Sequence, residues 1–194
     1  MDVPELAWLA ETRDADDSWP GPGPRLPNLQ SWLNRIAENE LHDLVSIVAM
    51  AAQAALTNWN AWFAVSPEYA TESIAESESP SLQLAAVARW LDSPTNENLA
   101  SALKTVDHTK QLHWFHDDYS DVWFDEPGMW AAESSEYCVL TLTGDPYANC
   151  SRGELAIICV SSAINSFRRA ADDEIRMPLA IIVDAFRRHV ENNG

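Results

Sequence analysis

Residues 41–63, LHDLVSIVAMAAQAALTNWNAWF, carry the pattern that decides the fold. Apolar side chains recur every three or four residues along this stretch, which is the spacing that places them on one face of an α-helix. Its middle, residues 48–56, is rich in alanine, and such short side chains let a second helix approach closely. The stretch therefore predicts a helix over residues 40–64 that packs against other helices. Its predicted apolar face comprises Leu41, Leu44, Val45, Val48, Ala52, Ala55, Leu56, Trp59 and Phe63.

The same periodicity recurs on both sides of this stretch and predicts further helices. They are expected near residues 29–36, over 81–91, after Pro94, from residue 129 for about 14 residues, after Glu154 and over 173–191. Residues 138–143, CVLTLT, also fit a β-strand. The positions that define four of these helices are Leu29, Trp32, Leu33 and Ile36; Leu99, Ala102, Leu103 and Val106; Leu155, Ile158, Cys159, Ser162 and Phe167; and Leu179, Ile182, Val183, Phe186 and Val190.

Several polar, glycine and proline residues predict where helices begin and end. Ser93 is expected to cap a helix whose first residue is Pro94, since a first-turn N–H needs no partner within the helix. Ser151 and Glu154 form a capping box, in which each side chain accepts a hydrogen bond from the other residue's backbone N–H. Gly144 and Pro146 are expected to end the helix before them.

The predicted architecture is all-α, a bundle of about six to eight helices built from antiparallel helix pairs. Residues 1–28 form an irregular, proline-rich N-terminal arm, and residues 29–194 form a single helical domain. Residues 65–80 are polar and acidic and are expected to form a loop. No turn dipeptide between alternating apolar runs indicates a β-hairpin.

The charge balance restricts the class of partner. The formal net charge is −18, from 30 acidic and 12 basic residues. Such a chain repels nucleic-acid phosphates and anionic membrane surfaces, and it attracts basic proteins. The acidity is concentrated, because eight carboxylates and no Lys or Arg lie between Lys110 and Arg152.

Three cysteines and the N-terminal sequence bear on location. The odd number of cysteines and their spacing match neither a disulfide framework nor a zinc motif, so Cys138, Cys150 and Cys159 are expected to be free thiols. The first residues lack the basic start and apolar run of a secretory signal. A cytoplasmic protein is therefore expected.

Residues 113–130, HWFHDDYSDVWFDEPGMW, hereafter the acidic-aromatic segment, contain the strongest candidate for a functional site. His113 and His116 are spaced for one face of a helix, and Asp117 and Asp118 add oxygen ligands, so a metal-dependent enzyme is one hypothesis. However, the chain has no HExxH motif, phosphate-binding loop or nucleophile elbow. The prediction is therefore a protein that is not an enzyme and has no cofactor.

A partner-binding surface is the preferred hypothesis for this segment. Aromatic rings are common interface anchors, and carboxylates speed the approach of a basic protein. Trp123 and Phe124 could equally be core residues whose acidic neighbours face water. The predicted partner-binding residues are Asp117, Asp118, Tyr119, Asp121, Trp123, Phe124, Asp125, Glu126 and Trp130.

A family resemblance points in the same direction. Residues 82–103, LQLAAVARWLDSPTNENLASAL, join two alanine-rich helices through a Trp-Leu-x-x-Pro-x-x-x-Asn pattern. This pattern resembles helical immunity proteins of bacterial polymorphic and type VI secretion toxin systems, over about residues 45–168. The resemblance implies a protein that binds one cognate toxin and blocks its active site or its assembly. The acidic-aromatic segment departs from that family. An acidic adaptor or scaffold for another basic protein remains an alternative.

Overall fold

Helices make up nearly all of the chain that the computed structural model describes, namely residues 27–65, 79–117, 127–144 and 150–170. No β-strand occurs within these ranges, so the all-α prediction is confirmed there. The strand alternative for residues 138–143 is wrong, because the fifth helix continues to Leu140 and a turn follows it. The helices are α1 (Pro27–Asn39), α2 (Leu41–Val65), α3 (Ser79–Asp92), α4 (Asn96–Asp117), α5 (Pro127–Leu140) and α6 (Arg152–Ala170).

Some predicted elements lie outside the described residues. These are most of the N-terminal arm, most of the acidic loop over 65–80, and the last helix over 173–191. The total of six to eight helices, and antiparallel pairing throughout the chain, therefore stay predictions.

Helix α2 is the central element, because α1, α3, α5 and α6 all pack against it. Ala52 and Ala55, which belong to its predicted apolar face, have no exposed surface, and neither does Ala51. Small side chains at a helix contact allow the two axes to come close together. The centre of the core therefore lies along the middle of α2.

Helices α5 and α6 form the most extensive contact of the bundle, and they run in opposite directions. Small residues line this contact, and they include buried hydroxyl groups that hydrogen-bond to backbone carbonyls. Ser134 Oγ donates to the carbonyl of Cys159 at 2.8 Å, and Ser135 Oγ donates to that of Ala131 at 3.1 Å. The polar atoms of this seam are thus buried at little cost, since they keep hydrogen-bond partners.

Helices α3 and α4 form a hairpin whose corner differs from the prediction. Thr95, not Ser93, caps α4: its Oγ1 accepts the Asn98 N–H at 3.2 Å. The Ser93 N–H donates to the Arg89 carbonyl and so completes α3, whereas the first backbone hydrogen bond of α4 runs from the Leu99 N–H to the Thr95 carbonyl. Pro94 consequently lies in the link before the cap, outside α4.

Asn98 also holds this corner closed. Its Nδ2 donates to the carbonyls of Ser93 and Arg89, at 2.8 and 3.3 Å. Arg89 lies in the last turn of α3, and Ser93 directly follows that helix. Carbonyls at the end of a helix have few partners within the helix, so side chains such as Asn98 often bond to them. The Asn at the end of the Trp-Leu-x-x-Pro-x-x-x-Asn pattern therefore has a structural role.

The predicted boundaries between α5 and α6, at Gly144 and at the Ser151–Glu154 capping box, are confirmed. The Ser151 N–H donates to Glu154 Oε2 at 2.7 Å, and the Glu154 N–H donates to Ser151 Oγ at 3.2 Å. The hydrogen bond from the Ser151 backbone N–H, followed by an interaction of the carboxylate with the Ser151 hydroxyl, lowers the pKa of Glu154. Gly144 has a φ of 84°, the left-handed conformation that glycine adopts without strain after a helix.

Helix α1 packs mainly on α6 through buried Trp32, Leu33 and Ile36. Gly153 lies at this contact, and a Cβ atom there would collide with the Asn34 side chain. The described helices include none whose length and apolar character would let it cross a membrane.

Gly128, in the first turn of α5, generates a test of this packing. A Cβ atom at this position would lie 2.5 Å from carbons of the Trp62 ring. We expect Gly128→Ala to lower the free energy of unfolding by about 1–2 kcal/mol, because overpacking outweighs the better helix propensity of alanine. Urea unfolding followed by circular dichroism measures the change.

The matched control is the same substitution in a Trp62→Leu background. If the ring causes the loss, Gly128→Ala should then be neutral or stabilising. A loss of equal size in both backgrounds would contradict the proposed contact.

Candidate functional site

The acidic-aromatic segment joins the end of α4 to the start of α5. The α4 backbone continues through His113 and His116 to Asp117, and α5 begins at Pro127 and includes Trp130. Of the side chains in this segment, the structure describes only those of Pro127 to Trp130, and residues 118–126 lie entirely outside the described residues. The predicted partner-binding residues whose side chains are not described are Asp117, Asp118, Tyr119, Asp121, Trp123, Phe124, Asp125 and Glu126. Both the partner-binding and the metal hypotheses for this segment therefore stay predictions.

Two successive hydrogen bonds fix the position where the segment enters α5. The Asn58 side chain on α2 donates from Nδ2 to Ser166 Oγ on α6, at 3.1 Å. The Ser166 hydroxyl in turn donates to the Pro127 carbonyl, at 2.7 Å. Asn58 is 6% exposed and Ser166 is fully buried, so these bonds are shielded from competing water. Helices α2 and α6 therefore hold the first residue of α5.

Aromatic rings at the C-terminal end of α2 pack against the start of α5. The Trp59 ring lies 5.5 Å from that of Trp62 and stacks on that of Phe63 at 5.8 Å between centroids. Gly128 rests directly against the Trp62 ring. The start of α5 therefore lies on an apolar surface of packed aromatic rings.

Trp130 is the one predicted partner-binding residue whose side chain the structure describes. The side chain is half-buried, and its indole nitrogen has no solvent exposure. Within the described residues, no acceptor is bonded to this nitrogen. A buried indole N–H normally finds an acceptor, because leaving it without one is costly. The Trp130 side chain is therefore partly packed within the bundle, and only part of its ring is exposed.

The carboxylates between Lys110 and Arg152 separate into two groups in the structure. Glu133 accepts a hydrogen bond from Ser162 Oγ at 2.7 Å, and Glu136 is only 7% exposed. Both residues therefore belong to the α5–α6 region of the bundle. The side chains of the other six carboxylates of this interval lie outside the described part of the chain.

Two of the three thiols form a buried pair between α5 and α6, as expected for free cysteines. Cys138 and Cys159 have no exposed surface, and all three cysteines are thiols that form no disulfide. Cys159 Sγ donates to the Val48 carbonyl at 3.6 Å. A hydrogen bond with Cys159, together with burial, raises the pKa of the Cys138 thiol well above its usual range. Since the thiolate is the nucleophilic form, Cys138 is unsuited to nucleophilic catalysis.

The described side chains do not form a metal site of three or more His, Cys, Asp or Glu residues. The sequence analysis missed Asn58 and Ser166, the residues that anchor the start of α5. Their only signal is a polar side chain on an otherwise apolar helix face, as Asn58 is beside Trp59.

No protein-family model matches the chain, and no curated protein or solved structure shows significant similarity to it.

The anchoring hydrogen bonds of α5 can be tested with Ser166→Ala. This change leaves the Asn58 amide and the Pro127 carbonyl without their buried partner, which should lower the free energy of unfolding by about 1–3 kcal/mol. We also expect faster hydrogen exchange for the first amides of α5 that are protected in the parent, measured by mass spectrometry. Ser31→Ala, at an exposed site on α1, is the control and should change neither quantity. Unchanged exchange at the start of α5 in Ser166→Ala would refute the anchoring role.

Proposed function

We propose that this protein is an immunity protein that binds and neutralises a cognate bacterial toxin through the acidic-aromatic segment. The observation that carries the proposal is the clustering of five acids over residues 117–126, in an interval that contains neither Lys nor Arg. The surface that best complements such a cluster is a basic cleft on another protein.

A nuclease is the toxin class that fits this surface best. An enzyme that acts on nucleic acid needs a basic cleft, because its substrate is a polyanion. Carboxylates entering that cleft would occupy the positions of substrate phosphates. Aromatic side chains among them offer flat surfaces like those of bases, which proteins commonly stack on aromatic rings. Inhibition would then be competitive with the nucleic-acid substrate.

The anchored start of α5 supports this proposal on energetic grounds. Binding requires that the contacting residues be ordered, and this ordering weakens affinity unless it has already occurred in the free protein. Asn58 and Ser166 hold Pro127, the residue that directly follows the acidic cluster. One end of the cluster is therefore held in place before the partner arrives.

The first experiment is co-expression with a toxin encoded by a neighbouring gene. The proposal expects this chain to restore growth to cells that produce the toxin and to co-purify with it. A metabolic enzyme as the neighbouring gene product, with no inhibition of it, would count against an immunity role. A stoichiometric transition metal that survives dialysis would favour the metal-dependent enzyme based on His113 and His116.

The carboxylates should control the rate of association. We expect the triple variant Asp118→Asn, Asp121→Asn and Asp125→Asn to lower the association rate constant by about tenfold or more at low salt, since electrostatic steering is weakened. The dependence of this rate on ionic strength should flatten as well. Stopped-flow binding to the toxin over a salt series measures both effects.

The matched control neutralises three acids on other helices, Glu38, Asp43 and Asp92, and so changes the net charge by the same amount. If proximity to the binding site matters, this control should keep most of the parent's association rate. Equal losses in the two triple variants would show that only the net charge acts, and would remove the segment from the interface.

Trp123 should instead control the lifetime of the complex. As an interface anchor, Trp123→Ala should raise the dissociation rate and weaken binding by about 2 kcal/mol or more. As a core residue, the same change should lower the free energy of unfolding by about 3–5 kcal/mol. Thermal melting of the free variant, measured beside its binding kinetics, separates these outcomes.

A further inference from the structure

The outer face of α4 carries an unusual arrangement of exposed residues. Glu97, Ala100, Ser101 and Lys104 are all exposed. Their spacing of three, four and seven residues places them on one face of the helix, over two turns. Two small side chains thus lie between an acidic and a basic residue.

The neighbouring helix α3 adds apolar surface to the same hairpin. Leu82 is 48% exposed and is the one exposed large hydrophobic residue in the described ranges. The hydrogen bond from Gln83 to the Thr105 carbonyl places Leu82 at the same end of the hairpin as Lys104. Ala85 and Ala88 are also exposed on α3. Exposed leucine and alanine side chains of this kind are available for contact with another protein surface.

The part of the hairpin that carries these residues is neutral, although the chain as a whole is strongly acidic. Residues 79–106 contain two basic residues, Arg89 and Lys104, and two acidic residues, Asp92 and Glu97, so their charges cancel, and the rest of α4 adds only one further net negative charge. The complete chain carries −18. Two copies therefore repel each other at most orientations, and they approach most easily where the contact surface has no net charge.

The charges on α4 are arranged so that two copies of this helix, packed in opposite directions, place opposite charges next to each other. When two α4 helices pack in opposite directions about a two-fold axis between Ala100 and Ser101, Glu97 of each copy lies opposite Lys104 of the other. Such an isologous contact uses the same surface on both copies. In the described part of the chain, neither of these two charged side chains is engaged in an ion pair, so both are available.

We propose that the outer face of the α3–α4 hairpin binds a second copy of this chain. The two α4 helices cross at Ala100 and Ser101, where short side chains permit close approach, and two Glu97–Lys104 pairs set the antiparallel direction. Leu82 extends the contact onto α3. None of these residues belongs to the acidic-aromatic segment, so the homodimer does not require the toxin.

A charge-reversal series on the full chain tests this inference by sedimentation equilibrium at physiological salt. The parent should be a dimer at tens of micromolar. Glu97→Lys and Lys104→Glu should each weaken the dimer by about tenfold, because each change turns two attractive pairs into two repulsive ones. The double variant restores opposite charges across the axis, so its dissociation constant should return to within about threefold of the parent.

Glu38→Lys is the matched control for Glu97→Lys, because it makes the same change of charge at an exposed site on α1. This control should leave the dimer intact. Leu82→Glu is an independent variant that should also favour the monomer. Circular dichroism confirms that each variant is folded.

Three results would overturn the inference. The first is a parent that remains monomeric at about 100 micromolar. The second is a pair of single variants that dimerise as well as the parent. The third is a double variant that stays as weak as the single ones, since only the pairing of Glu97 with Lys104 across the axis predicts that rescue.

Discussion

Close approach among α2, α5 and α6 is the constraint on which the other contacts depend. Alanine, serine and cysteine line these three helices where they meet, and their short side chains bring the backbones together. The hydroxyl and thiol groups remain bonded to carbonyls across or within the seam, so burial leaves few polar atoms without partners. Larger side chains would force the helices apart and displace α1 and the α3–α4 hairpin, which pack against this centre.

The helices were predictable because their signals are local. The apolar spacing of α2 and the capping box before α6 each depend on residues within a few positions of one another. The corner after α3 was less certain, because Ser93 and Thr95 on either side of Pro94 can both cap a helix. The hydrogen bonds that Thr95 accepts from the Asn98 and Leu99 N–H groups identify Thr95 as the cap. The contact of Asn58 with Ser166 joins positions that no local pattern connects.

The sequence predicts the negative charge of the candidate site but not which carboxylates pack within the helices. The order of residues alone shows that eight carboxylates and no Lys or Arg lie between Lys110 and Arg152. It cannot separate Glu133 and Glu136 from the acids before Pro127, because their burial depends on how α6 packs on α5. The half-burial of Trp130 depends on tertiary packing for the same reason. Tertiary structure therefore assigns Glu133 and Glu136 to the packed helices, which the sequence alone does not reveal.

The hydrogen bonds that hold the start of α5 also depend on the completion of folding. They link residues separated by 108 and by 39 positions, so they close only after α2, α5 and α6 have assembled. Contacts between distant positions form late when loop closure opposes them. A nascent or partly folded chain would therefore lack the contacts that fix Pro127. The first residue of α5 reaches its final position only in a molecule whose three helices have already packed together.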